Sequence, residues 1–470
     1  MFPAQTSLIP IYVALARFIE SQGWRAFFSF YPYWYLGSTP FRYLTGPILP
    51  LTLVFVHKLL PGLSLFEVFL GLIGLCLPVG ATGIYLLVRE WKGSRLSASL
   101  AAIFYLFGPF VPLLFRFADG LHLITLSFLP FILMIYLRLL KKWRRRQAIC
   151  LSFAITGLLL LETTIIPSLI MAMAAVLLAQ TGWKRVEDKI RQTLAVIFFA
   201  LLMVTVWYTP GYWLTLLTAP SLGGKTVWSI AVSLPRLLAI FLSIFIAIFT
   251  RRLVKQNSFR GFCFFWLIIF GFLTLTRLIA DPDFWLDWTA YSIEIQMGIA
   301  VTLSYLLARV KGGYQQSWAI GFFMVIFLTG WFCLFRSEVV NSLQNNIEES
   351  VEYRTGKELS RRVGSDEKVF LSGTTAFWLN AFFDVSQVRG GVDQAAVHST
   401  WDRAAWEIRE GTDVEQSERW LRNLGVSYIL VHNQASREFY HDFRYPDKFK
   451  QGNFQAIYSS NGDTIYKLIK

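Results

Sequence analysis

The sequence predicts a mostly α-helical polytopic membrane protein of about ten membrane helices, followed by a C-terminal extracytoplasmic α/β domain. The composition is the first reason: of 470 residues, 55% are hydrophobic and 17% aromatic, arranged in long runs that suit a bilayer core. The second is the charge distribution. Residues 1–337 carry 28 basic and 11 acidic side chains, whereas residues 338–470 carry 16 and 19. The basic excess lies in short loops between apolar runs, which indicates membrane orientation rather than nucleic-acid binding.

Residues 1–64 are predicted to form an outer-surface region with juxtamembrane helices. The run GPILPLTLVFVHKLLPG (46–62) is short and interrupted by prolines, so we expect a helix lying on the outer leaflet rather than a span. The pattern at 7–22, SLIPIYVALARFIESQ, is amphipathic and predicts a second helix of this kind.

Residues 65–337 are predicted to form the transmembrane domain. Its apolar runs are 65–88, 98–117, 122–140, 148–161, 164–180, 192–214, 226–250, 259–280, 290–308 and 317–336. If each run crosses the membrane once, all five basic loops fall on the cytoplasmic side. This requires 148–180 to be two short antiparallel helices, broken between Glu162 and Pro167, with Glu162 at the outer tip.

Residues 338–470 are predicted to be a soluble extracytoplasmic α/β domain. Strand patterns occur at 368–373, 426–432 and 454–469, and the last of these contains Asn461-Gly462, a favoured hairpin turn. Helical patterns occur at 345–363 and 414–424. The stretch 389–413, rich in Gly, Asp, His and Trp, is interpreted as a long loop that either contacts sugars or is simply exposed to solvent.

The segment RFADGLHL (116–123) places three chemically active side chains in an outer loop of the predicted topology. Asp119 is the predicted catalytic residue, because an acid there can act as a base toward an acceptor or bind a divalent cation such as Mg²⁺ or Mn²⁺. Arg116 and His122 lie within one helical turn of it and are predicted to bind substrate. The alternative is an ordinary solvated loop.

Three further residues are predicted to bind substrate from the outer ends of the apolar runs: Glu162, Arg236 and Arg277. The arginines could neutralise a sugar-phosphate leaving group. They could equally lie at the bilayer interface with their charged ends in water.

These features together resemble the GT-C superfamily of integral-membrane glycosyltransferases. The resemblance rests on PYWYLGSTPFRYLTGPILP (32–50), the basic inner turn Arg89-Glu90-Trp91-Lys92-Gly93, the outer acid Asp119 and the α/β domain after the last span. It implies an inverting transfer of a sugar from a polyprenyl phosphate or pyrophosphate carrier on the outer face of the membrane. It also implies two loop acids, and Asp119 matches the second.

The first family acid has no match, since no Asp precedes position 119 and Glu20 lies on a predicted surface helix. The first transmembrane helix is also missing from the pattern. We therefore expect either that the true start lies upstream of Met1 or that the first helix and its acid have been lost.

The predicted function is a prokaryotic membrane glycosyltransferase of the cell membrane. Its partners would be a lipid-linked sugar donor, membrane lipid and a glycan or protein acceptor that the sequence does not identify. The alternative is a non-catalytic membrane scaffold or binding subunit in cell-envelope polysaccharide assembly. A transporter is disfavoured because ionisable groups lie at span ends, and a serine hydrolase because there is no G-x-S-x-G.

Overall fold

The computed structural model describes residues 8–34, 46–112, 120–180, 186–213, 234–250, 258–280, 291–344, 347–389 and 400–469. Its membrane part contains twelve α-helices in the described residues. They are α1 Leu8–Gln22, α2 Ile48–Leu59, α3 Leu65–Glu90, α4 Arg95–Leu106, α5 Gly120–Lys141, α6 Arg145–Leu161, α7 Ile166–Gln180, α8 Val186–Val204, α9 Leu234–Thr250, α10 Phe259–Ala280, α11 Ser292–Leu307 and α12 Gly313–Gln344.

Each of the ten predicted apolar runs contains one of these helices, which confirms a polytopic helical membrane protein. Among the described residues, six stretches are long and apolar enough to cross a membrane: Leu65–Glu90, Arg95–Pro112, Gly120–Lys141, Thr163–Gln180, Phe259–Thr276 and Gly313–Arg336. That the other runs also cross stays a prediction, as does the assignment of sides.

Local signals set the start of α3 and the end of α6. Ser64 begins α3 with a capping box: its hydroxyl accepts from the Glu67 backbone N–H at 3.2 Å, and its own N–H donates to Glu67 Oε2 at 2.7 Å. The predicted break at Glu162 is confirmed, since α6 ends at Leu161 and Glu162 adopts an extended backbone before a 3₁₀ turn leads into α7. Two short helices therefore meet at Glu162.

The C-terminal part is a four-stranded sheet with helices on both faces. The helices are α13 Val351–Arg362, α14 Gly373–Phe382, α15 Trp401–Glu410 and α16 Val414–Asn423; the strands are β1 Lys368–Phe370, β2 Val426–His432, β3 Phe454–Ser460 and β4 Asp463–Leu468, in the order β1-β2-β4-β3. β1 and β2 are parallel and the other pairs antiparallel. The hairpin turn is confirmed, with positive φ at Asn461 and Gly462.

Two elements of this domain differ from the sequence expectation. Residues 373–382 were not predicted to be helical but form α14, and the stretch 389–413 is not a loop throughout, because α15 occupies Trp401–Glu410. Ala404, Ala405 and Ile408 of α15 are buried against the sheet. Their i, i+1, i+4 spacing is a helical pattern too short to stand out among the polar residues around it.

The first helix, α1, joins the two parts of the molecule. It contacts α2, α3 and α5 as well as α14, and every residue from Ile9 to Ile19 except Arg17 is buried. Arg17 Nη1 donates to the Asn380 carbonyl at 3.1 Å, and Arg17 Nη2 pairs with Asp384 at 2.9 Å. The helix expected at 7–22 is present, but it packs against protein and does not lie on the outer leaflet as expected. Its apolar residues pack against both the bundle and α14, which explains the different environment.

Candidate functional site

A buried imidazole lies between two buried carboxylates at the end of the helical bundle where α5 begins. His122 is in the first turn of α5, and its Nδ1 lies 3.3 Å from Glu162 Oε1 while its Nε2 lies 3.4 Å from Glu294 Oε1. The three residues are only 6%, 8% and 1% exposed, respectively. They come from α5, the α6–α7 break and the first turn of α11, so one polar chain ties three helices together.

Neighbouring hydroxyl groups support both carboxylates. Thr164 donates to Glu162 Oε1 and Ser168 donates to Glu294 Oε1. The indole N–H of Trp266 donates to the backbone carbonyl of Glu294 at 2.7 Å, which fixes the start of α11. The two acids are thus held in place independently of His122.

The start of α11 is also bonded to the end of α4. The Gln296 side chain donates to the Tyr105 carbonyl at 2.8 Å and accepts from the Phe110 backbone N–H, also at 2.8 Å. These bonds satisfy backbone groups that the end of a helix leaves open. They fix the position of Glu294, two residues before Gln296, relative to the end of α4.

The charges within this chain do not cancel when all three groups are ionised. Ionised carboxylates only accept hydrogen bonds, so both ring nitrogens of His122 must carry protons to satisfy Glu162 and Glu294 together. The sum is then one net negative charge in a dry environment. The second oxygens, Glu162 Oε2 and Glu294 Oε2, are buried without a hydrogen-bond partner among the described residues.

The arrangement does not suit a single metal ion. Glu162 and Glu294 face opposite nitrogens of the His122 ring, so the three side chains do not converge on one point. Within the part of the chain that the structure describes, no group of three His, Cys, Asp or Glu side chains is placed to hold a metal ion.

An apolar groove of about 380 Å³ runs between α2, α3, α5 and α6. Its lining includes Thr52, Cys76, Phe128 and Gly157. At one end lie Ile124, two residues after His122, and Leu161, directly before Glu162. A long apolar ligand in this groove would therefore have one end next to the polar chain.

The structure brings two of the predicted site residues, His122 and Glu162, into contact. Their role in binding substrate stays a prediction. Asp119 and Arg116 lie outside the described residues. Arg236 and Arg277 fall on α9 and α10, but their side chains are outside the described part of the structure.

Gly120 is the described residue that follows Asp119 directly, and it packs tightly. A Cβ atom built on it would lie 2.3 Å from Ile73 Cδ1 and 3.4 Å from Phe69 Cε1 of α3. A larger side chain at this position would have to displace the Ile73 side chain, so the glycine lets α5 begin close to α3.

Glu294 was not among the predicted site residues, although the topology already placed it on the outer side. The available signal was an acid in the first turn of an otherwise apolar short helix, SIEIQMGIAVTLSYLL. An acid in such a setting is costly unless it has a partner. Its partner, His122, is more than 170 positions away in the sequence, so no local pattern predicts the contact between them.

Comparisons with known proteins agree with the fold. No family model matches the sequence, and no curated protein matches it either. The crystal structure of ArnT from Cupriavidus metallidurans in the apo state matches with a TM-score of 0.53 at 10% identity, over 98% of this chain and 93% of that one. The same protein bound to undecaprenyl phosphate gives 0.54 at 12% identity, with the same coverage.

The archaeal oligosaccharyltransferase of Archaeoglobus fulgidus in the apo form also matches. Its TM-score is 0.53 at 13% identity, over 97% of this chain and 70% of that one. At such low identities the similarity shows a common fold along nearly the whole chain, including the C-terminal domain.

Proposed function

We propose that this chain, whose fold is that of the GT-C membrane glycosyltransferases, moves a sugar from a polyprenyl-phosphate carrier to an acceptor at the outer face of the cell membrane. The observation that carries the proposal is the apolar groove, whose lining includes Ile124 and Leu161, close in sequence to His122 and Glu162 of the polar chain. A lipid-linked sugar has the same division into a long apolar chain and a polar head.

The groove suits the isoprenoid part of such a donor. Its volume of about 380 Å³ falls within the range of roughly 300–1,000 Å³ that is typical of ligand sites. Its lining is almost wholly aliphatic and aromatic, and the groove lies among membrane helices, where a lipid can enter sideways. ArnT, with which this chain shares its fold, has been solved with undecaprenyl phosphate bound.

Asp119 is proposed as the base that accepts a proton from the acceptor. It lies directly before α5 in the chain and three positions before His122. Arg116, Arg236 and Arg277 are proposed to neutralise the departing phosphate. His122 and Glu162 are proposed to hold the first turn of α5 and the polar end of the donor.

A divalent cation such as Mg²⁺ or Mn²⁺ at Asp119 is part of the same proposal. The described acids do not form a metal site by themselves, because Glu162 and Glu294 lie on opposite sides of the His122 ring. Any cation would therefore depend on Asp119 and residues near it. Loss of transfer in EDTA, restored by Mg²⁺ or Mn²⁺, is the expected result, and full activity in EDTA would remove the cation from the proposal.

The outer location of the site, and of the C-terminal domain, is supported by α5 itself. His122 is in the first turn and Lys141 is the last residue, which places them about 30 Å apart at 1.5 Å per residue. Lys141 and Arg138 both pair with Glu90 at the end of α3, at 3.0 and 2.8 Å. This basic end is the one that the positive-inside rule assigns to the cytoplasm.

The test is transfer by the purified protein in detergent, with a panel of undecaprenyl-phosphate hexoses as donors and membrane extract as the source of acceptor. We expect Asp119→Asn to lower the rate at least 100-fold. The matched control is Asp188→Asn, because Asp188 is 69% exposed and its partner among the described residues is the exposed Arg191, so its loss should leave the rate unchanged. Equal rates for the two variants would refute the role of Asp119.

A second measurement separates this proposal from the non-catalytic alternative. A photoreactive undecaprenyl phosphate should label α5 or α6 peptides and should be displaced by unlabelled lipid. Specific labelling without transfer of any sugar by the wild-type protein would support a binding or scaffold subunit. Absence of specific labelling would refute the assignment of the groove.

A further inference from the structure

The C-terminal domain has a second cleft, far from the polar chain. It has a volume of about 340 Å³ and lies between the α15–α16 corner and a 3₁₀ turn at Pro446–Lys450. Eight residues line it: Thr412, Val414, Arg444, Tyr445, Pro446, Asp447, Lys448 and Gln451. α15 and α16 pack on one face of the sheet, whereas α14, which joins the membrane part, packs on the other.

A buried ammonium group lies at the base of this cleft. Lys448 is only 7% exposed, and its Nζ donates to the Glu407 carbonyl at 2.9 Å and to the Gly411 carbonyl at 2.6 Å. These bonds close the C-terminal end of α15. An ammonium group has three N–H bonds, so one remains for a group within the cleft that the side chain lines.

The wall of the cleft combines an aromatic ring with a second cation. Arg444 is exposed, and its guanidinium carbon lies 5.7 Å from the centre of the Tyr445 ring. Tyr445 is 41% exposed, an unusual position for a tyrosine that serves only packing. The Arg444 backbone is fixed by a hydrogen bond from its N–H to the Arg409 carbonyl at 3.0 Å.

The residues that line the cleft carry more positive than negative charge, Arg444 and Lys448 against Asp447, while Glu407 and Asp413 act electrostatically on Lys448 from outside the lining. Asp447 is the acid that lines it, and its carboxylate pairs with Lys450 at 2.6 Å. Lys448 and Arg444 therefore remain as cations facing the cavity. Thr412 and Gln451 add a hydroxyl and an amide, groups that can both donate and accept hydrogen bonds.

We propose that this cleft binds a saccharide bearing a carboxylate or phosphate group, with the anion on Lys448 and Arg444 and the sugar ring against Tyr445. The volume suits one or two sugar units, and aromatic rings with convergent polar groups are the usual surface for sugar faces. Arg444 supplies paired donors to an anion. The site is separate from the transfer reaction and would hold an acidic glycan at the domain surface.

The affinity should depend on pH, because burial lowers the pKa of Lys448 to about 8, although the nearby Glu407 and Asp413 favour its charged form. A bound anion would favour the charged form. Binding of an anionic sugar is therefore expected to weaken as the pH rises from 7 to 9, while binding of a neutral sugar should change little.

The test uses the full-length protein in detergent and titrates it by calorimetry with glucuronate, glucose 6-phosphate and glucose. We expect the two anionic sugars to bind at least tenfold more tightly than glucose. Equal affinities, or no binding of either anionic sugar, would refute the proposal. Inorganic phosphate that binds as tightly as glucose 6-phosphate would refute the saccharide part.

Variants assign the site. Arg444→Gln and Tyr445→Ala are expected to weaken glucuronate binding at least fivefold, and both residues are exposed enough for the fold to tolerate the changes. The matched control is Arg437→Gln, an exposed arginine of the same connection outside the cleft, which should bind like the wild type. Equal losses in Arg444→Gln and Arg437→Gln would refute this location. The readout is binding, so it is unaffected by whether the protein transfers sugar.

Discussion

Removal of the His122 imidazole is the perturbation whose cost can be worked out most directly from the structure. In His122→Leu, Glu162 and Glu294 lose the cation between them and stay in a dry environment. They then lie roughly 8 Å apart, at which two negative charges repel by about 2 kcal/mol at an effective dielectric constant of about 20. Breaking a buried ion pair by removing one partner typically costs about 3–5 kcal/mol, so we expect destabilisation of that size at pH 8.

The assay is equilibrium unfolding in mixed dodecylmaltoside and SDS, followed by tryptophan fluorescence. His122→Leu should unfold at a clearly lower SDS fraction than the wild type. His122→Leu combined with Glu162→Gln and Glu294→Gln should recover all but about 1 kcal/mol, because no uncompensated charge remains.

The result that would refute this reasoning is specific. If His122→Leu unfolds like the wild type at pH 8, the two carboxylates are not both ionised, and the chain does not hold a net charge. If the triple variant is less stable than His122→Leu alone, the acids stabilise the bundle through contacts other than those with His122.

Three further outcomes are expected. Gly120→Val should lower the transfer rate at least tenfold, because the added side chain would lie where Ile73 now packs. In the same assay Gly74→Ala on α3 should have little effect, because the space around its Cβ position is open. Gly157→Leu should reduce labelling by the photoreactive lipid at least fivefold, since Gly157 lines the apolar groove. In the C-terminal domain, the pKa of Lys448 is lowered to about 8 from its ordinary value of 10.5. Between these pH values the unfolded chain therefore binds more protons than the folded one. The free energy of unfolding should rise as the pH increases from 8 to 10.5. Chemical unfolding curves of Lys448→Met should lack this rise with pH.

Most elements of the fold follow from local patterns in the sequence. Apolar runs of bilayer length locate the helices because every backbone group must find a partner within the membrane. The break after Leu161 follows from the shortness of its two flanking runs and from Pro167. The Asn461-Gly462 turn could be predicted because asparagine and glycine tolerate the positive φ that both positions adopt.

The environment of these elements could not be predicted in the same way. The amphipathic pattern of α1 indicates a helix but does not distinguish lipid from protein on its apolar side, and here α14 and the bundle cover it. Likewise, the pairing of His122 with Glu162 and Glu294 joins residues separated by 40 and 172 positions. Such contacts depend on how the helices pack, which no local pattern of residues determines.

The position of α1 has a consequence for the timing of assembly. Arg17 and its partner Asn380 are 363 positions apart, which at a synthesis rate of 5–20 residues per second corresponds to an interval of roughly 20–70 s. During that time the bundle side of α1 can pack, but the side that faces α14 has no protein partner. The apolar surface of the first helix must then be kept from aggregating by lipid or a chaperone until the last domain is made. A chain that stops before residue 373 would keep that surface exposed permanently, so we expect quality-control proteases to remove it faster than the complete protein.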